Sequence, residues 1–380
     1  MRPEEIVIDE KAIGVSCRTF VIAEIGINHD GDVERAADLI DAAAASGADA
    51  VKFQTFRADL LLAGDRDRLA QQGNGRESAR EMFRRLELGR EAHEKLKARA
   101  DARGITFLST PFDEDSADFL DTLGVPAFKI ASGDVTHLPL LNRIGSKRKP
   151  VLLSTGMADL GEVGEALWGL KSAGAKEIIL LHCISSYPAP VESLNLRVIK
   201  TLAEQFGLPV GYSDHSLGIL MPLAAVAVGA CVIEKHFTLD RNAPGPDHKM
   251  SADPKEMREL VTAIRAVEAA LGDGRKRLTA VEEEGRRLGR RSIVAAVDVC
   301  ARETIEPRMI AFKRPGTGLP PRDAGKVVGM QARRDLAKDT LLSWDDLFPS
   351  TGADGLLGAG ASAASVNGTG RELRGGCTHA

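Results

Sequence analysis

Eight short apolar segments alternate with longer amphipathic segments between residues 20 and 271, and this alternation constrains the fold more than any other feature of the chain. The eight segments read FVIAEI, AVKFQ, ITFLST, AFKIAS, PVLLST, IILLHC, PVGYSD and CVIEKH. Most are separated by helix-length stretches, such as 33–46 and 194–205, which predicts parallel strands joined by helices. Eight such units predict a closed (β/α)8 barrel, with a doubly wound open sheet as the alternative, because periodicity does not establish closure.

Each apolar segment ends in a polar or ionisable side chain. These side chains are Glu24, Gln54, Thr110, Lys129, Ser154, His182, Asp214 and His236. In a parallel barrel the carboxyl ends of all strands open onto one face, and active sites lie there. The sequence therefore predicts a site assembled from residues that are far apart along the chain.

Changes in residue composition and hydropathy pattern divide the 380 residues into four predicted regions. We expect a barrel domain over 1–271, a linker rich in Arg and Glu over 272–290, a small, mostly β domain over 291–348 and a disordered tail over 349–380. The tail is rich in Gly, Ala and Ser and has too little apolar content to offset the entropy lost on ordering. The segment 56–87 is too long and too charged for a simple connection, so we expect a mobile excursion over the barrel mouth.

The composition narrows the class of partner. The formal net charge is −4, so no basic surplus attracts nucleic acid or acidic lipid. The amino terminus, residues 1–15, lacks both the apolar core of a signal peptide and any apolar run long enough to span a bilayer. Five cysteines without a CxxC pair favour a reducing cytoplasm over a disulfide framework. We expect small-molecule partners or further copies of the chain, with no nucleic acid and no membrane.

Two histidines follow neighbouring predicted strands: His215 in YSDHS and His236 in EKHF. Across a barrel mouth they are close enough to share one divalent metal. Neutral imidazoles with waters completing the shell suit manganese, zinc, iron or cobalt. The alternative is that each is a hydrogen-bonded structural residue.

Lys52 and Lys129 are cations inside otherwise apolar strands, a costly placement unless an anion neutralises them. Four serines near the same rim supply hydroxyl donors, and the set resembles a cage for a phosphate and a carboxylate. These serines are Ser132, Ser154, Ser185 and Ser213. The alternative is that each lysine pairs with a barrel carboxylate such as Glu24 or Glu234.

Two carboxylates complete the candidate set. Glu24 faces the mouth, where it is placed to handle a proton, to hold a sugar hydroxyl or to pair with a lysine. Asp247 lies on a loop bent by Pro and Gly after the eighth strand, which suits either a grip on polyol hydroxyls or a solvated turn. We interpret Cys183 as a small buried filler.

The chain closely resembles the N-acetylneuraminate (sialic acid) synthase family in nine ordered strings over residues 20–347. These are AEIGINHDG, ADAVKFQTF, STPFD, FKIASGD, STGM, SSYPAPVESLNL, VGYSDHSLG, IEKHFTLDRNAPGPDH and KRPGTGLPP. The resemblance implies an α/β fold, a (β/α)8 TIM barrel followed by a small antifreeze-like (SAF) domain. It also implies a homodimer with exchanged SAF domains, in which each small domain covers the partner's barrel mouth.

The same resemblance implies an enzyme that condenses phosphoenolpyruvate with an N-acetylated amino sugar. It assigns His215 and His236 to Mn²⁺, with Mg²⁺ or Co²⁺ as alternatives, and Arg314 to the acetamido group of the sugar. Glu24 joins the two histidines as catalytic. Phosphoenolpyruvate takes Lys52, Thr110, Lys129, Ser132, Ser154 and Ser213, with Ser185 grouped beside them. The sugar takes Gln54, Tyr187, Asp247 and Arg314, and Glu24 also corresponds to a sugar-binding position.

Two departures from the pattern of bacterial sialic acid makers leave the acceptor open. Ser185 stands where an Asn can occur, and Arg290 where an aromatic residue can. N-acetylmannosamine and the 2,4-diacetamido-2,4,6-trideoxy-mannose that yields legionaminic acid are the two candidates. Two other classes are a metal-dependent aldolase or isomerase on the same barrel and a non-enzymatic carbohydrate or ice binder.

Overall fold

The computed structural model describes residues 5–63 and 78–350. The chain divides into two units, Met1–Gly274 and Arg275–Ala380. The strands of the first unit are β1 (Ile6–Ile8), β2 (Lys11–Ile13), β3 (Phe20–Gly26), β4 (Ala50–Thr55), β5 (Thr106–Pro111), β6 (Phe128–Ile130), β7 (Val151–Ser154), β8 (Ile178–Cys183), β9 (Val210–Asp214) and β10 (Val232–His236). Its helices are α1 (Val33–Ala45), α2 (Ala58–Leu61), α3 (Ala79–Leu86), α4 (Arg90–Arg103), α5 (Glu114–Leu123), α6 (Leu138–Gly145), α7 (Leu160–Ala173), α8 (Val198–Phe206), α9 (Leu220–Ala227) and α10 (Pro254–Leu271).

Strands β3 to β10 form one parallel sheet in the order β5-β4-β3-β10-β9-β8-β7-β6. The last strand, β10, pairs with the first, β3, from Val232↔Phe20 to His236↔Glu24. At the remaining seam β5 and β6 lie against each other. The prediction of a (β/α)8 barrel is therefore confirmed, and the doubly wound alternative is wrong, because an open sheet leaves its edge strands apart.

The barrel strands are buried on both faces, which explains why they read as near-continuous apolar runs. Several helices that follow them begin at an acidic N-cap, whose side chain accepts a hydrogen bond from a first-turn N–H. The caps are Asp32, Asp113, Asp159 and Asp253. Helix α8 begins at Val198, four residues later than the predicted 194, because Asn195 adopts a φ of 42°, which a right-handed helix excludes.

Strands β1 and β2 form an antiparallel hairpin that the sequence analysis did not anticipate. Ile6, Ile8 and Ile13 pack with apolar residues from the barrel strands, including Leu108 and Ile179. This apolar layer fills the amino-terminal end of the barrel. Polar side chains at this end are few, such as Thr106 at the start of β5, whose hydroxyl contacts Lys11 Nζ at 3.1 Å.

The excursion predicted over 56–87 contains α2 and α3. Met82 and Leu86 of α3 pack against Ile27 and Phe56 beside the mouth. Residues 64–77 lie outside the described residues, so the mobility of the excursion stays a prediction.

The second unit contains α11 (Ala280–Gly289), β11 (Ser292–Ala295), β12 (Ile310–Lys313), α12 (Ala324–Val327), β13 (Gln331–Ala332) and β14 (Leu347–Phe348). Strands β11 and β12 pair antiparallel, as do β13 and β14, around a small apolar core. Helix α11 falls inside the predicted linker 272–290. The predicted tail lies outside the described residues from 351 onwards, so its disorder stays a prediction. Among the described helices, none is both long and apolar enough to cross a membrane.

Candidate active site

Two buried lysines and two buried carboxylates form a network at the carboxyl ends of the strands. Lys52 Nζ lies 2.6 Å from Glu24 Oε2 and 3.9 Å from Glu234 Oε2. Lys129 Nζ lies 3.8 Å from Glu234 Oε1. The alternative in which barrel carboxylates neutralise the lysines is therefore realised, and Glu234 connects the two ammonium groups.

Hydroxyl groups surround this network. Lys52 Nζ donates to Thr110 Oγ1 at 3.2 Å, and Lys129 Nζ donates to Ser154 Oγ at 2.6 Å. Ser213 Oγ donates to Glu234 Oε1 at 2.9 Å. Three of the hydroxyls predicted to surround an anion are thus already in contact with the charged groups.

The ionisation of the network follows from burial and from the alternation of charge. Burial raises the pKa of Glu24 to about 7, although Lys52 acts to lower it. Burial also tends to raise the pKa of Glu234, but Lys129 and Lys52 outweigh it and the pKa is lowered. Burial lowers the pKa of Lys129. Glu24 is therefore the member of the network whose proton is exchangeable near neutral pH.

Gln54 and Glu24 lie side by side at the ends of β4 and β3. Gln54 Nε2 donates to Glu24 Oε1 at 3.2 Å. Between them the β3–β4 pairing shifts register near Gly26, whose φ is 55°. A Cβ at Gly26 would lie 3.1 Å from Glu24 Oε1, so the absence of a side chain there leaves room for both polar groups.

A second cluster of polar groups surrounds the α-carbon of Gly156, just after β7. Gly156 N–H donates to Ser132 Oγ at 3.0 Å, and Cys183 Sγ lies 3.0 Å from the same oxygen. A Cβ at Gly156 would lie 2.4 Å from Ser185 Oγ, 2.7 Å from Cys183 Sγ and 2.8 Å from Ser132 Oγ. The structure therefore brings Ser132 and Ser185 together around Gly156, and Cys183 contacts a candidate ligand-binding hydroxyl.

The two histidines lie beside each other, as the sequence predicts. The ring centroids of His215 and His236 are 5.4 Å apart, and the Tyr187 ring lies 4.3 Å from the former. His236 Nδ1 lies 3.6 Å from Asp247 Oδ2. Four predicted site residues are thus adjacent at the ends of β9 and β10 and in the loops that follow β8 and β10.

The donor set of the histidines fits a divalent metal. Burial lowers the pKa of both His215 and His236, so both imidazoles are neutral near pH 7, and the charges of Lys52 and Lys129 lower the pKa of His236 further. His215 Nδ1 lies 3.0 Å from Ile184 O and can donate to it, which leaves Nε2 as the lone-pair nitrogen. His236 Nδ1 is buried without a hydrogen-bond partner among the described residues.

Asp247, which lies beside His236, also has a shifted pKa. It is buried, and burial raises its pKa to about 6 in spite of Lys52. Because Lys52 acts on both Asp247 and His236, the lysine network and the histidine pair belong to one electrostatic environment.

Arg314 lies in the second unit, in the segment that follows β12, and its side chain is exposed. The carbonyl of the next residue, Pro315, accepts a hydrogen bond of 2.7 Å from Ser292 Oγ, which also accepts one of 2.9 Å from Gly318 N–H. Ser292 therefore fixes the backbone of the KRPGTG segment within its own unit.

Two carboxylates that had no site role of their own in the sequence analysis interact with the lysines, namely Glu234 and Asp134. Glu234 was considered only as a lysine partner, yet it contacts both lysines and Ser213. Asp134, after β6, has a buried Oδ2 with no partner in the described part of the chain, and burial raises its pKa to about 6. The sequence analysis missed Asp134, and its position two residues after Ser132 is the signal that could have found it.

The fold and the site define a barrel enzyme with a site for an anionic ligand beside a pair of neutral imidazoles. Comparisons with known proteins agree with that class. A model described as the NeuB family matches residues 39–276, and an SAF domain model matches residues 290–347. The chain belongs to the NeuB family, which confirms the resemblance to sialic acid synthases, and it is an acid synthase of that type.

Similar proteins cover most of the chain. The N,N'-diacetyllegionaminic acid synthase of Legionella pneumophila is 46% identical over 344 residues, which are 89% of this chain and 97% of that protein. The N,N'-diacetyllegionaminic acid synthase of Campylobacter jejuni is 44% identical over 330 residues, 86% of this chain and 99% of that protein. The crystal structure of the sialic acid synthetase of Leptospira borgpetersenii, in complex with citrate, has a TM-score of 0.68 and 38% identity, and covers 74% of this chain and 95% of that one.

Proposed function

We propose that this chain is a nonulosonic acid synthase that condenses phosphoenolpyruvate with N-acetylmannosamine and releases inorganic phosphate. The observation that supports this most is the network of Lys52, Glu24, Glu234 and Lys129 beside two neutral imidazoles. Phosphoenolpyruvate carries a phosphate and a carboxylate, and two buried ammonium groups with hydroxyl donors are suited to both. The product is N-acetylneuraminate.

The proposed reaction forms one carbon–carbon bond and one carbon–oxygen bond to water, and it breaks the carbon–oxygen bond to the phosphate. C3 of phosphoenolpyruvate attacks the aldehyde carbon of the open-chain sugar, whose oxygen takes up a proton and becomes a hydroxyl. Water adds to the cationic C2 and gives up a proton. The bond between C2 and the phosphate oxygen then breaks, and the phosphate leaves with the electron pair. The new C2 hydroxyl gives up its proton to the phosphate, and a 2-keto-3-deoxy acid remains.

We propose a role in these reaction steps for each of the following residues. Lys52 and Lys129 hold the anionic donor and stabilise the phosphate as it leaves. Ser132 Oγ accepts from Gly156 N–H, and its own proton is proposed to be donated to a phosphate oxygen. Glu24, with a pKa of about 7, is placed to take the proton that water gives up.

We propose Mn²⁺ as the metal, with Mg²⁺ or Co²⁺ as alternatives, held by His215 and His236. When bound, it supplies Lewis-acid polarisation of the sugar aldehyde. In residues 5–63 and 78–350 there is no group of three or more His, Cys, Asp or Glu side chains that could hold a metal ion. The protein would therefore supply two imidazoles, and water or substrate oxygens would complete the shell.

The sugar is proposed to lie against Gln54, Tyr187 and Asp247. The second candidate acceptor is 2,4-diacetamido-2,4,6-trideoxy-mannose. Its support is that two relatives, at 46% and 44% identity, are named as N,N'-diacetyllegionaminic acid synthases. We also propose a cytoplasmic homodimer with exchanged SAF domains, in which Arg314 of one chain binds the acetamido group at the partner's mouth.

The test is incubation of the full chain with phosphoenolpyruvate, Mn²⁺ and a panel of acetamido sugars. Phosphate release and product mass are followed together, and the sugar with the highest kcat/KM identifies the acceptor. Phosphoenolpyruvate labelled with ¹⁸O at the bridging oxygen tests the bond that breaks, because carbon–oxygen cleavage transfers the label to phosphate.

Two results would overturn the proposal. A new carbon–carbon product formed from other donors without phosphate release would place the chain in the aldolase class. Sugar binding without any turnover would favour the non-enzymatic class of carbohydrate binder.

A further inference from the structure

A buried ion pair immediately precedes both candidate metal ligands in the chain. Lys235 Nζ lies 2.6 Å from Asp214 Oδ2, and the two side chains are 1% and 0% exposed. The residues are register partners on the neighbouring parallel strands β9 and β10. Asp214 is followed directly by His215, and Lys235 by His236.

The pair points away from the substrate side of the barrel. Side chains alternate across a strand, and Glu234 and His236 face the mouth. Lys235, between them, therefore faces the layer between sheet and helices, as does Asp214 opposite it. The pair is not placed to touch a substrate.

Both charged groups make further hydrogen bonds besides the one that joins them. Asp214 Oδ1 accepts from Tyr212 Oη at 3.0 Å, from Ser216 N–H at 2.9 Å and from Ser216 Oγ at 2.7 Å. Lys235 Nζ donates in addition to Ser216 O at 2.8 Å. The two chain neighbours of His215, Asp214 and Ser216, thus belong to one hydrogen-bond network. Both bind Lys235, which lies on the strand that carries His236.

Stability alone does not explain such a pair. Removing two charges from water carries a large desolvation penalty, and apolar side chains of similar volume are often equally stabilising or better. What the ion pair adds over an apolar pair is a fixed relative position, because its hydrogen bonds are directional. It supplies that constraint at the backbone positions that precede the two imidazoles.

We propose that Asp214 and Lys235 are positioning residues that fix the separation of His215 and His236 for a divalent cation. This inference rests on the proposed metal-dependent function. The pair acts on the Cα positions, while Ile184 O at 3.0 Å from Nδ1 sets the ring orientation of His215. Ligands of a metal site must be held within about 0.5 Å of their productive geometry by packing and by hydrogen bonds of the surrounding residues.

The test is Mn²⁺ affinity of the full chain without substrates, measured from the electron paramagnetic resonance signal of free Mn²⁺. The double variant Asp214→Leu/Lys235→Met removes both charges and avoids an unpaired buried ion. We expect it to fold, with an unchanged circular dichroism spectrum, and to bind Mn²⁺ about 10- to 100-fold more weakly. Metal-free binding of phosphoenolpyruvate, measured by calorimetry, is expected to stay unchanged, because Lys52 and Lys129 are intact.

A matched control separates positioning from general destabilisation. Arg265 and Asp49 form a partly buried ion pair 3.2 Å apart in the same unit, and Asp49 precedes β4 at the opposite end of the barrel. Arg265→Met is expected to keep the wild-type affinity for Mn²⁺. Ser216→Ala, which removes one hydroxyl from the network, is expected to fold and to weaken Mn²⁺ binding by less than the double variant does.

The outcomes distinguish the two proposals. If the wild-type chain binds Mn²⁺ and the folded double variant binds it equally well, the positioning role is wrong and the metal site stands. If the double variant does not fold, an unchanged affinity in Ser216→Ala overturns the positioning role instead. If the wild-type chain and His236→Ala bind Mn²⁺ equally, the metal site itself is wrong, and the positioning role is rejected with it.

Discussion

At the scale of single residues, burial selects the protonation states on which the proposed chemistry depends. It lowers the pKa of His215 and His236, which keeps lone pairs available to a metal near neutral pH. It raises the pKa of Glu24 to about 7 and that of Asp247 to about 6. The site thus combines neutral nitrogen donors with carboxylates that exchange protons close to physiological pH.

The metal proposal predicts that His236→Ala abolishes phosphate release and that a chelator does the same to the wild-type chain. The reason is that one of only two proposed protein ligands is lost. His137→Asn is the control, since His137 is exposed and caps α6, a role that Asn also fills. Wild-type rates in the presence of chelator would remove the metal from the mechanism.

The role of Glu24 predicts a pH-dependent kcat. A carboxyl group with a pKa of about 7 is protonated below that pH and cannot accept a proton there, so kcat should rise with pH through about 7. Glu24→Gln is expected to lower kcat by roughly 10²- to 10⁴-fold and to abolish the rise. A rise that persists in the variant would assign it to another group.

The cluster around Gly156 predicts a large effect from one added methyl group. Gly156→Ala places a Cβ within 2.8 Å of the polar atoms of Ser132, Cys183 and Ser185, so these must move. We expect the KM for phosphoenolpyruvate to rise by at least about tenfold, which corresponds to roughly 1.4 kcal/mol. Gly133→Ala is the matched control, because a Cβ there meets nothing within 4 Å. Equal KM values for the two variants would contradict a role of this cluster in binding the donor.

At the scale of elements, the loop after β10 is held by hydrogen bonds of His248, the residue that follows Asp247. His248 Nδ1 lies 2.7 Å from Thr238 Oγ1, and His248 Nε2 lies 3.4 Å from Asp30 Oδ1 in the loop after β3. Asp30 in turn lies 2.9 Å from Arg35 of α1. The loop is therefore tied to the first βα unit rather than to its own strand alone.

This anchoring predicts a selective effect on the sugar. His248→Leu removes both contacts, so we expect stability to fall by about 1 kcal/mol and the KM for the sugar to rise more than that for phosphoenolpyruvate. Steady-state kinetics with each substrate varied in turn measures the change in the two KM values. The neighbouring exposed Lys249 provides the control Lys249→Ala, for which neither KM should change.

The elements that sequence predicted well are those whose pattern is local. The eight apolar runs became β3 to β10 because an apolar run bounded by turns specifies a buried strand. The β1–β2 hairpin was missed because its strands have three residues each, too few to show a period. The start of α8 was misplaced because the left-handed conformation of Asn195 is not encoded in hydropathy.

At the scale of the whole molecule, the barrel site and Arg314 lie in different units of the chain. The proposed exchange of SAF domains supplies Arg314 to the barrel of the partner. Arg314→Ala should then raise the KM for the sugar far more than the KM for phosphoenolpyruvate. Arg322→Ala is the control, because Arg322 is exposed in the same unit.

The exchange also predicts complementation between two inactive variants. His236→Ala destroys the barrel site, and Arg314→Ala spoils the covering domain. A mixed dimer of the two would contain one intact combination, so co-refolding equal amounts should restore about one quarter of the wild-type sites. No recovery in a mixture shown to contain mixed dimers would place Arg314 and the barrel of the same chain together.

A site residue could be predicted where its residue type is unusual within its own segment of the sequence. Lys52 and Lys129 stand out because a cation inside an apolar strand needs a partner, and His215 and His236 because they end neighbouring strands. Glu234 was harder, since its contacts with both lysines depend on juxtaposition across strands that are distant in sequence. The proximity of Cys183 to Ser132 could not be inferred for the same reason.

The pairing of β10 with β3 has a consequence for how the protein becomes active during synthesis. His236 and Glu24 are register partners, although one stands at the start of the barrel and the other on its final strand. A nascent chain that has emerged only as far as β9 lacks one proposed metal ligand and the carboxylate shared by the two lysines. Catalysis therefore becomes possible only when β10 pairs with β3 and closes the barrel. Measured turnover thus also reports that the barrel has finished folding.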